Sequence, residues 1–377
     1  MSIAVGQLKS AYDEVPYASH PFPHSAPENL AAVAHLFGLD TPPAATARVL
    51  ELGCSSGGNL IPFAARAPEA QTLGIDLSGV QIDMGRKRIE ALGVSNIKLM
   101  EGDLSALDSK ELGSFDYIIC HGVYSWVPPH VQDAILRICK ENLTANGVAY
   151  VSYNVYPGWK AKEIVRDAMM LRGGSRATSA EQLSYAKGML DFLEQVAPKD
   201  SVLSKTMELT LPELRHQQDY YLAHEYLEPF NAPCYFQQFV ERANGHGLAY
   251  LAEAHPSTMF ADNYGEQVAA PLLKECGHSQ VLVEQYLDFI VNRTFRQTLL
   301  VNGDRGSEIR YRLDGERLRK FHYAAHLPCL DGESHLDDSP QTFGATGSSI
   351  TTQRVEMKAA LEILSASWPK PFPTTTW

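Results

Sequence analysis

Three acidic positions and a glycine-rich turn carry most of the chemistry in this sequence. The turn reads Glu51-Leu52-Gly53-Cys54-Ser55-Ser56-Gly57-Gly58 and follows directly on the apolar run Arg48–Leu52. Glycines between a first strand and its helix let a ligand approach the backbone closely. Asp76 stands 25 residues after Glu51, in Gly74-Ile75-Asp76-Leu77-Ser78. An acid at that spacing, ending a second strand, can accept both hydroxyls of a ribose. In Glu101-Gly102-Asp103-Leu104 another acid follows a third strand, placed to meet the exocyclic amine of an adenine. Together the three elements describe one adenosine-shaped site at the C-terminal edges of consecutive strands. Taken singly, Asp76 is equally a helix N-terminal acid favoured by the dipole, and Gly102-Asp103 an ordinary turn. The segment Gly53–Gly57 also satisfies G-x-S-x-G, the nucleophile elbow of α/β hydrolases. That alternative lacks a Gly-rich oxyanion loop ahead of the turn and leaves Asp76 and Asp103 without a role.

The elements that must position these groups are read from hydrophobic periodicity. Strands are expected at Arg48–Leu52, Thr72–Ile75, Ile97–Met100, Phe115–His121 and Val148–Asn154. Helices are expected at Glu28–Leu39, Gly57–Ala65, from the Ser78 cap through Leu92, and at Pro129–Leu143. Strands alternating with helices imply right-handed βαβ units and a doubly wound, Rossmann-like parallel sheet, an α/β fold. Pro16, Pro21, Pro23 and Pro27 predict an extended arm over residues 1–30. After Trp159 the pattern turns helical, at Lys160–Leu171, Ala180–Val196, His216–Tyr226 and Phe236–Asn244. Leu248–Ala254 and Arg296–Asn302 read as strands that complete the sheet, making 159–231 a helical insertion above its edge. Residues 303–350 read as loops and short hairpins, and Arg354–Ser367 as a final amphipathic helix before the tail Pro369–Trp377.

Composition narrows the partners. The 377 residues include 32 Lys plus Arg against 44 Asp plus Glu, a net charge of −12. Such a chain has no general electrostatic attraction for nucleic acid or an anionic membrane, so neither is expected as a partner. The basic run Gly85-Arg86-Lys87-Arg88 reads as a solvated helix face. Six cysteines are scattered singly without C-x-x-C, so no metal site or disulfide framework is signalled and a reducing compartment is expected. No apolar run reaches the roughly 18 residues of a membrane span. Lys9, Asp13 and Glu14 interrupt the N-terminus before a signal peptide could form. A soluble cytoplasmic protein is the expectation.

There is no G-x-G-x-x-G; the turn opens instead with Glu and a Gly two residues on. In this it resembles the class I S-adenosylmethionine-dependent methyltransferases, whose turn wraps a methionine and cradles no pyrophosphate. Three further runs narrow the resemblance: Tyr12-Asp13-Glu14-Val15-Pro16-Tyr17, His121-Gly122-Val123-Tyr124-Ser125-Trp126-Val127-Pro128 and Tyr153-Asn154-Val155-Tyr156-Pro157-Gly158-Trp159. These look like bacterial methyltransferases that carry a methyltransferase regulatory domain, a group that includes rickettsial protein lysine methyltransferases. Tyr220–Glu228, Leu251–Ala254 and Gln285–Phe289 resemble that regulatory domain itself. The likeness covers roughly residues 8–330.

The resemblance implies a division into an N-terminal arm over the cofactor (1–30), a cofactor-binding core (31–158), a mainly helical regulatory or substrate domain (159–302) and a C-terminal extension (303–377). Relatives often continue into a larger third domain, so the extension is either naturally short or a truncated one. It implies S-adenosylmethionine as cofactor, S-adenosylhomocysteine as product, and contacts from Tyr12, Tyr17, Glu51, Gly53, Ser55, Gly57, Asn59, Asp76, Leu77, Gly102, Asp103, Leu104 and His121. Ser55 departs from the glycine usual at the middle of the turn. His121, Tyr124, Trp126, Asn154, Tyr156 and Trp159 follow strands four and five, where an acceptor would sit. Each of these aromatics could equally be a packing residue; together they predict an apolar pocket able to hold an amine by cation–π attraction. His121 or Tyr124 would be the base, if one is used. No Asn-Pro-Pro-Tyr follows the fourth strand, which argues against nucleobase amines as acceptors. The expected activity is methyl transfer to nitrogen or oxygen, with a protein lysine favoured by analogy. The alternatives are a small-molecule N- or O-methyltransferase and a non-catalytic S-adenosylmethionine-binding regulator. Oligomeric state is not legible.

Overall fold

Period-two alternation of apolar residues sets the central sheet. The computed structural model describes residues 3–14, 16–174, 178–345 and 348–373. Residue 15 of the arm motif and residues 374–377 of the tail lie outside them. Along the first part of the chain come α1 (Ile3–Glu14), α2 (Pro27–Leu36), β1 (Arg48–Leu52), α3 (Leu60–Arg66), β2 (Gln71–Asp76), α4 (Gly79–Leu92), β3 (Ile97–Glu101), α5 (Ser109–Leu112), β4 (Phe115–Cys120), α6 (Pro129–Asn142) and β5 (Leu143–Asn154). Then follow α7 (Gly158–Gly173), α8 (Ser179–Val196), α9 (Val202–His216), α10 (Asp219–Tyr226), α11 (Phe236–Gly245), β6 (Leu248–Glu253), α12 (Glu266–Cys276), α13 (Gln280–Ile290) and β7 (Phe295–Asn302).

The seven strands are ordered β3-β2-β1-β4-β5-β7-β6. β1 to β5 are parallel, whereas β7 runs antiparallel to both β5 and β6. Val49, Tyr117, Ile119 and Tyr150 pack on one face with Leu30 and Val33 of α2 and with Phe37, which caps it. Leu50, Ile118, Cys120 and Val151 pack on the other with Ile135, Leu136 and Ile138 of α6. Between β1 and β4 the strand order reverses, so the loops after these two strands diverge and leave a crevice at their C-terminal ends.

Capping defines several helices. The Ser78 hydroxyl accepts from the Gln81 amide at 3.2 Å to open α4, and Gly93 closes it at φ +65°. Thr178, Ser201 and Ser279 cap α8, α9 and α13 in the same way. α7 to α10 bury their own apolar cluster, including Val165, Met169, Ala186, Met207, Leu222 and Tyr226.

Three expectations need correction. The N-terminal arm is not extended throughout: residues 3–14 form α1, because the arm's prolines begin only at Pro16. The α9 segment Val202–His216 is helical, where the sequence reading began its helix at His216. α12 and α13 are further helices that the reading did not anticipate. The strands at Leu248–Glu253 and Phe295–Asn302 do complete the sheet, in antiparallel sense.

The chain divides into two compact units, residues 1–311 and 312–377. The second contains α14 (Gly315–Leu318), β8 (His322–Tyr323), β9 (Gln341–Ala345), β10 (Ser348–Thr352), α15 (Val355–Ser367) and β11 (Phe372–Pro373). β9 pairs antiparallel with β10, and β8 with β11. Lys358 is buried there; its Nζ donates to the carbonyls of His335 at 3.0 Å and Asp337 at 2.9 Å.

Candidate active site

A cavity of about 480 Å³ opens where the loops after β1 and β4 diverge. It begins at the turn after β1. Gly53 and Cys54 donate their amides to the Ile75 carbonyl at 2.7 and 3.1 Å, pinning the turn to β2. Gly53 has φ +75°, and a Cβ there would lie 2.3 Å from Val123 Cγ2 in the loop after β4, so no side chain fits. Ser55 adopts φ +50°. Its amide donates to Asp76 Oδ2 at 2.7 Å, and its hydroxyl bonds Gln81. Serine therefore does form the turn usually made with glycine, holding the left-handed conformation through side-chain and backbone bonds. Gly57 shapes the turn at φ +77° beside Ile61 and Leu99 and lies outside the cavity lining.

The three carboxylates line the same space. Glu51 Oε1 accepts from Asn59 Nδ2 at 2.8 Å, while Oε2 is buried without a partner among the described residues. Burial pushes the Glu51 carboxyl up to about 8. Asp76 Oδ1 accepts from the Ser78 amide at 2.9 Å, leaving further acceptor capacity on both oxygens. Burial also raises the Asp76 carboxyl above its ordinary value, opposed by its backbone donors. Asp103 Oδ1 accepts from the Ser105 amide and hydroxyl at 2.9 and 2.6 Å. Its Oδ2 is buried and has no partner among the described residues. Leu77, Gly102 and Leu104 line the space between Asp76 and Asp103. Two buried acceptor oxygens without donors cost energy unless a ligand satisfies them, which fits a group offering an amine at each end.

α1 and the following residues roof this part of the cavity. Val5, Leu8, Tyr12, Tyr17, Ser19 and Phe22 all line it. Lys9 pairs with Glu101, and Ser78 Oγ donates to Asp13 Oδ1 at 2.6 Å. The Gly58 amide donates to Ser19 Oγ at 2.9 Å, and the Phe22 amide to Asn59 Oδ1 at 2.9 Å. Tyr12 and Tyr17 of this roof are legible in the sequence; Val5, Leu8, Ser19 and Phe22 belong to no motif.

Beyond His121 the wall becomes aromatic. Trp126 and Trp159 meet edge to face at 5.9 Å, and Asn154, Lys162, Tyr221, His224, Glu225, Thr294 and Phe295 complete the lining. The residues from α10 and β7 are brought in by topology from far along the chain, with no local spacing to betray them.

Two expected acceptor residues lie elsewhere. Tyr124 and Trp126 sit two apart on a 3₁₀ turn, Tyr124–Trp126, whose threefold period points their side chains in different directions. Trp126 faces the cavity, whereas Tyr124 packs edge-on against Phe239 at 5.3 Å and Tyr153 at 6.0 Å. Burial raises its phenol far above the ordinary value. Tyr156 bonds Glu163 at 2.6 Å and carries Lys160 over its ring at 3.8 Å, outside the lining. His121 does line the cavity, but Phe22 stacks on its ring at 3.7 Å and its Nδ1 lies 2.7 Å from the Tyr150 hydroxyl. Burial pulls it down to about 4, so it is neutral near pH 7 and a weak proton acceptor. Neither expected base is supported by its surroundings.

The Glu51 shift has a measurable consequence. Its folded value, about 8, exceeds the ordinary 4.5. Wild-type stability is therefore favoured below the lower value and lost as pH rises through the higher one. Glu51→Gln is expected to raise the melting temperature of the ligand-free protein by several degrees above that range, with the gain vanishing in acid. Thermal unfolding across pH measures it; a pH-independent difference would contradict the burial argument.

A doubly wound sheet of this order, with an acid-lined cavity at the strand ends, defines the class I methyltransferase fold. A family profile described as a methyltransferase domain matches residues 49–147, and one described as a predicted methyltransferase regulatory domain matches 218–302. A Rickettsia prowazekii (strain Madrid E) protein is 37% identical over 368 residues, 96% of this chain and 66% of that one. A second protein of that organism is 42% identical over 241 residues, 62% of this chain and 94% of its own length. The structure of PKMT2 from Rickettsia typhi in complex with AdoHcy superposes with a TM-score of 0.81 at 34% identity, covering 95% of this chain and 69% of that one. The chain thus spans about two thirds of the length of the first relative and of PKMT2. It belongs to the class I S-adenosylmethionine-dependent methyltransferases that carry a methyltransferase regulatory domain. Among the described residues no helix is long and apolar enough to cross a membrane.

Proposed function

We propose that this protein transfers the methyl group of S-adenosylmethionine to a nucleophilic nitrogen, and that the acceptor is a lysine side chain of a protein. The observation that carries the reading is the continuity of one cavity. It joins the unpartnered oxygens of Glu51 and Asp103 to the aromatic wall of Trp126 and Trp159. In this reading Glu51 receives the amine of the methionine moiety, Asp76 the ribose hydroxyls and Asp103 the adenine amine, with Leu77 and Leu104 beside the base. Bound S-adenosylmethionine would supply a sulfonium methyl for in-line attack by an acceptor nitrogen, with S-adenosylhomocysteine as the leaving group.

The chain's own work is orientation and exclusion of water, which can supply on the order of 7–11 kcal/mol of the barrier. α1, Tyr12 and Tyr17 cover the cofactor half. On the acceptor side, Trp126 and Trp159 offer flat apolar faces for an alkyl stem and attract a cationic head. Glu225 adds a carboxylate, and the lining as a whole holds four carboxylates against one lysine. A cationic chain end is favoured there over an acid. A chain end held there as a cation must give up a proton before its nitrogen can attack, and with His121 a weak acceptor that proton goes to water. The likeness to PKMT2 supports a protein lysine over a small amine; the acidic lining suits either.

Incubation with methyl-labelled S-adenosylmethionine and bacterial proteins, followed by peptide mass spectrometry, tests this. Label on lysine Nζ is the expected outcome. Label recovered in small amines would replace the acceptor class, and tight cofactor binding with no transfer to either would leave a binding protein.

A further inference from the structure

The pair His224–Glu228 lies outside the carboxylate cradle and is buried where three segments meet. α10 has two faces. Leu222 and Tyr226 are buried in the apolar cluster of α7 to α10, whereas Tyr221, His224 and Glu225 line the cavity. His224 Nδ1 lies 2.8 Å from Glu228 Oε1, a contact between residues one helical turn apart that fixes the ring's rotation. Against one flat side of that ring lies Tyr12, nearly parallel, with centroids 5.1 Å apart at 6°. Tyr17 meets it edge-on at 5.7 Å. Both tyrosines belong to the N-terminal arm. The arm's other attachments run the opposite way, to the cofactor side, through Lys9–Glu101, Asp13–Ser78 and Ser19–Gly58. The arm is therefore held between the cofactor turn and α10.

We infer that His224, oriented by Glu228, is the positioning residue through which the regulatory segment holds the N-terminal arm closed over the cofactor cavity. The inference rests on the reading that this cavity holds S-adenosylmethionine. α10 is the first helix of the 218–302 match, and its far face is fixed in the α7–α9 bundle. A displacement of that bundle, by an acceptor protein or another partner, carries His224 with it and removes the surface on which Tyr12 and Tyr17 rest. Regulation then acts on how long cofactor and product stay bound, with no change at the transferring atoms.

The test is the release rate of S-adenosylhomocysteine by stopped-flow displacement, together with hydrogen exchange at the amides of α1 without ligand. Two aromatic contacts are lost in His224→Ala, so release is expected to quicken about tenfold, with loss of protection in α1. His224→Phe keeps a flat ring and is expected to restore release to within about twofold of wild type. Glu228→Gln keeps the acceptor oxygen and is expected to behave like wild type. Unchanged release and protection in His224→Ala would overturn the inference, as would a His224→Phe variant as fast as alanine. If the wild-type chain binds no S-adenosylhomocysteine, the cofactor reading fails, and α1 exchange alone then decides whether His224 holds the arm.

Discussion

Replacing Asp76 with alanine is expected to weaken S-adenosylhomocysteine binding by about a hundredfold or more, measured by calorimetry. Hydrogen bonds to a charged acceptor contribute about 1.5–3 kcal/mol each, and two ribose hydroxyls are available to this carboxylate. Its oxygens already hold the amides of Ser55 and Ser78 at 2.7 and 2.9 Å. The alanine variant therefore also releases the left-handed Ser55 from its anchor, and its loss combines ligand contact with turn geometry. Asp76→Asn removes less. It retains one acceptor oxygen and nearly the same volume but sets its NH2 against one of the two amides, so a loss of about tenfold is expected, with a melting temperature between those of wild type and the alanine variant. Equal affinity in all three proteins would remove Asp76 from the cofactor site.

The second large effect lies away from the cavity. Arg296, at the start of β7, is fully buried and satisfies three carboxylates at once. Its guanidinium donates to Glu253 at 2.8 Å, Glu284 at 3.0 Å and both oxygens of Asp288 at 2.9 Å. The Phe236 ring lies 3.6 Å from its carbon centre. Arg296→Met leaves Glu253 and Glu284 without their cation and Asp288 with Arg293 alone, at 2.6 Å, and losing one partner of a buried ion network costs about 3–5 kcal/mol. A fall in melting temperature of about 10 °C follows. Its pH dependence is specific. Burial raises Glu284 to about 6 even beside the arginine, so its contribution to stability is greatest in acid and is lost as pH rises through that value. Without Arg296 the acids must take up protons to remain buried. The deficit should therefore be smaller at about pH 5 than at about pH 8. A deficit that grows in acid, or a stability loss below about 1 kcal/mol, would refute the network's role.

Much of the site was legible because it is local. Glu51, Asp76 and Asp103 each end a strand whose apolar run is short and bounded, and each falls at a turn with its own residue signature. The structure brings them to one cavity. Tyr124 and Tyr156 were misplaced for a physical reason: proximity in sequence to a strand end does not fix which way a side chain points on a 3₁₀ turn or at a helix start. α1 is not legible from the arm's prolines, because they begin at Pro16 and restrict only the residues around them, not Ile3–Glu14. α9 and α12 contain Pro212 and Pro271 within their helical spans, where neighbouring packing offsets the lost hydrogen bond. Tyr221, His224, Glu225 and Phe295 could not be read at all, since only the path of the chain through the helical insertion brings them to the cavity.

That path has a consequence for how the molecule comes into being. β5 is a central strand only because β7 lies beside it, and β7 begins at Phe295, some 140 residues after β5 ends. On the ribosome, the nascent core must therefore wait, with β5 as an open edge, while the whole helical insertion and β6 are synthesised. An unpaired strand edge is a template for wrong partners. The buried polar chemistry at the start of β7 is well suited to this moment. Arg296 gains its three carboxylates only when β7 sits beside β6, which carries Glu253, and against α13, which carries Glu284 and Asp288, so a misplaced strand would strand a charge in an apolar layer. The closing strand of the sheet thus carries a check on its own placement against β6 and α13.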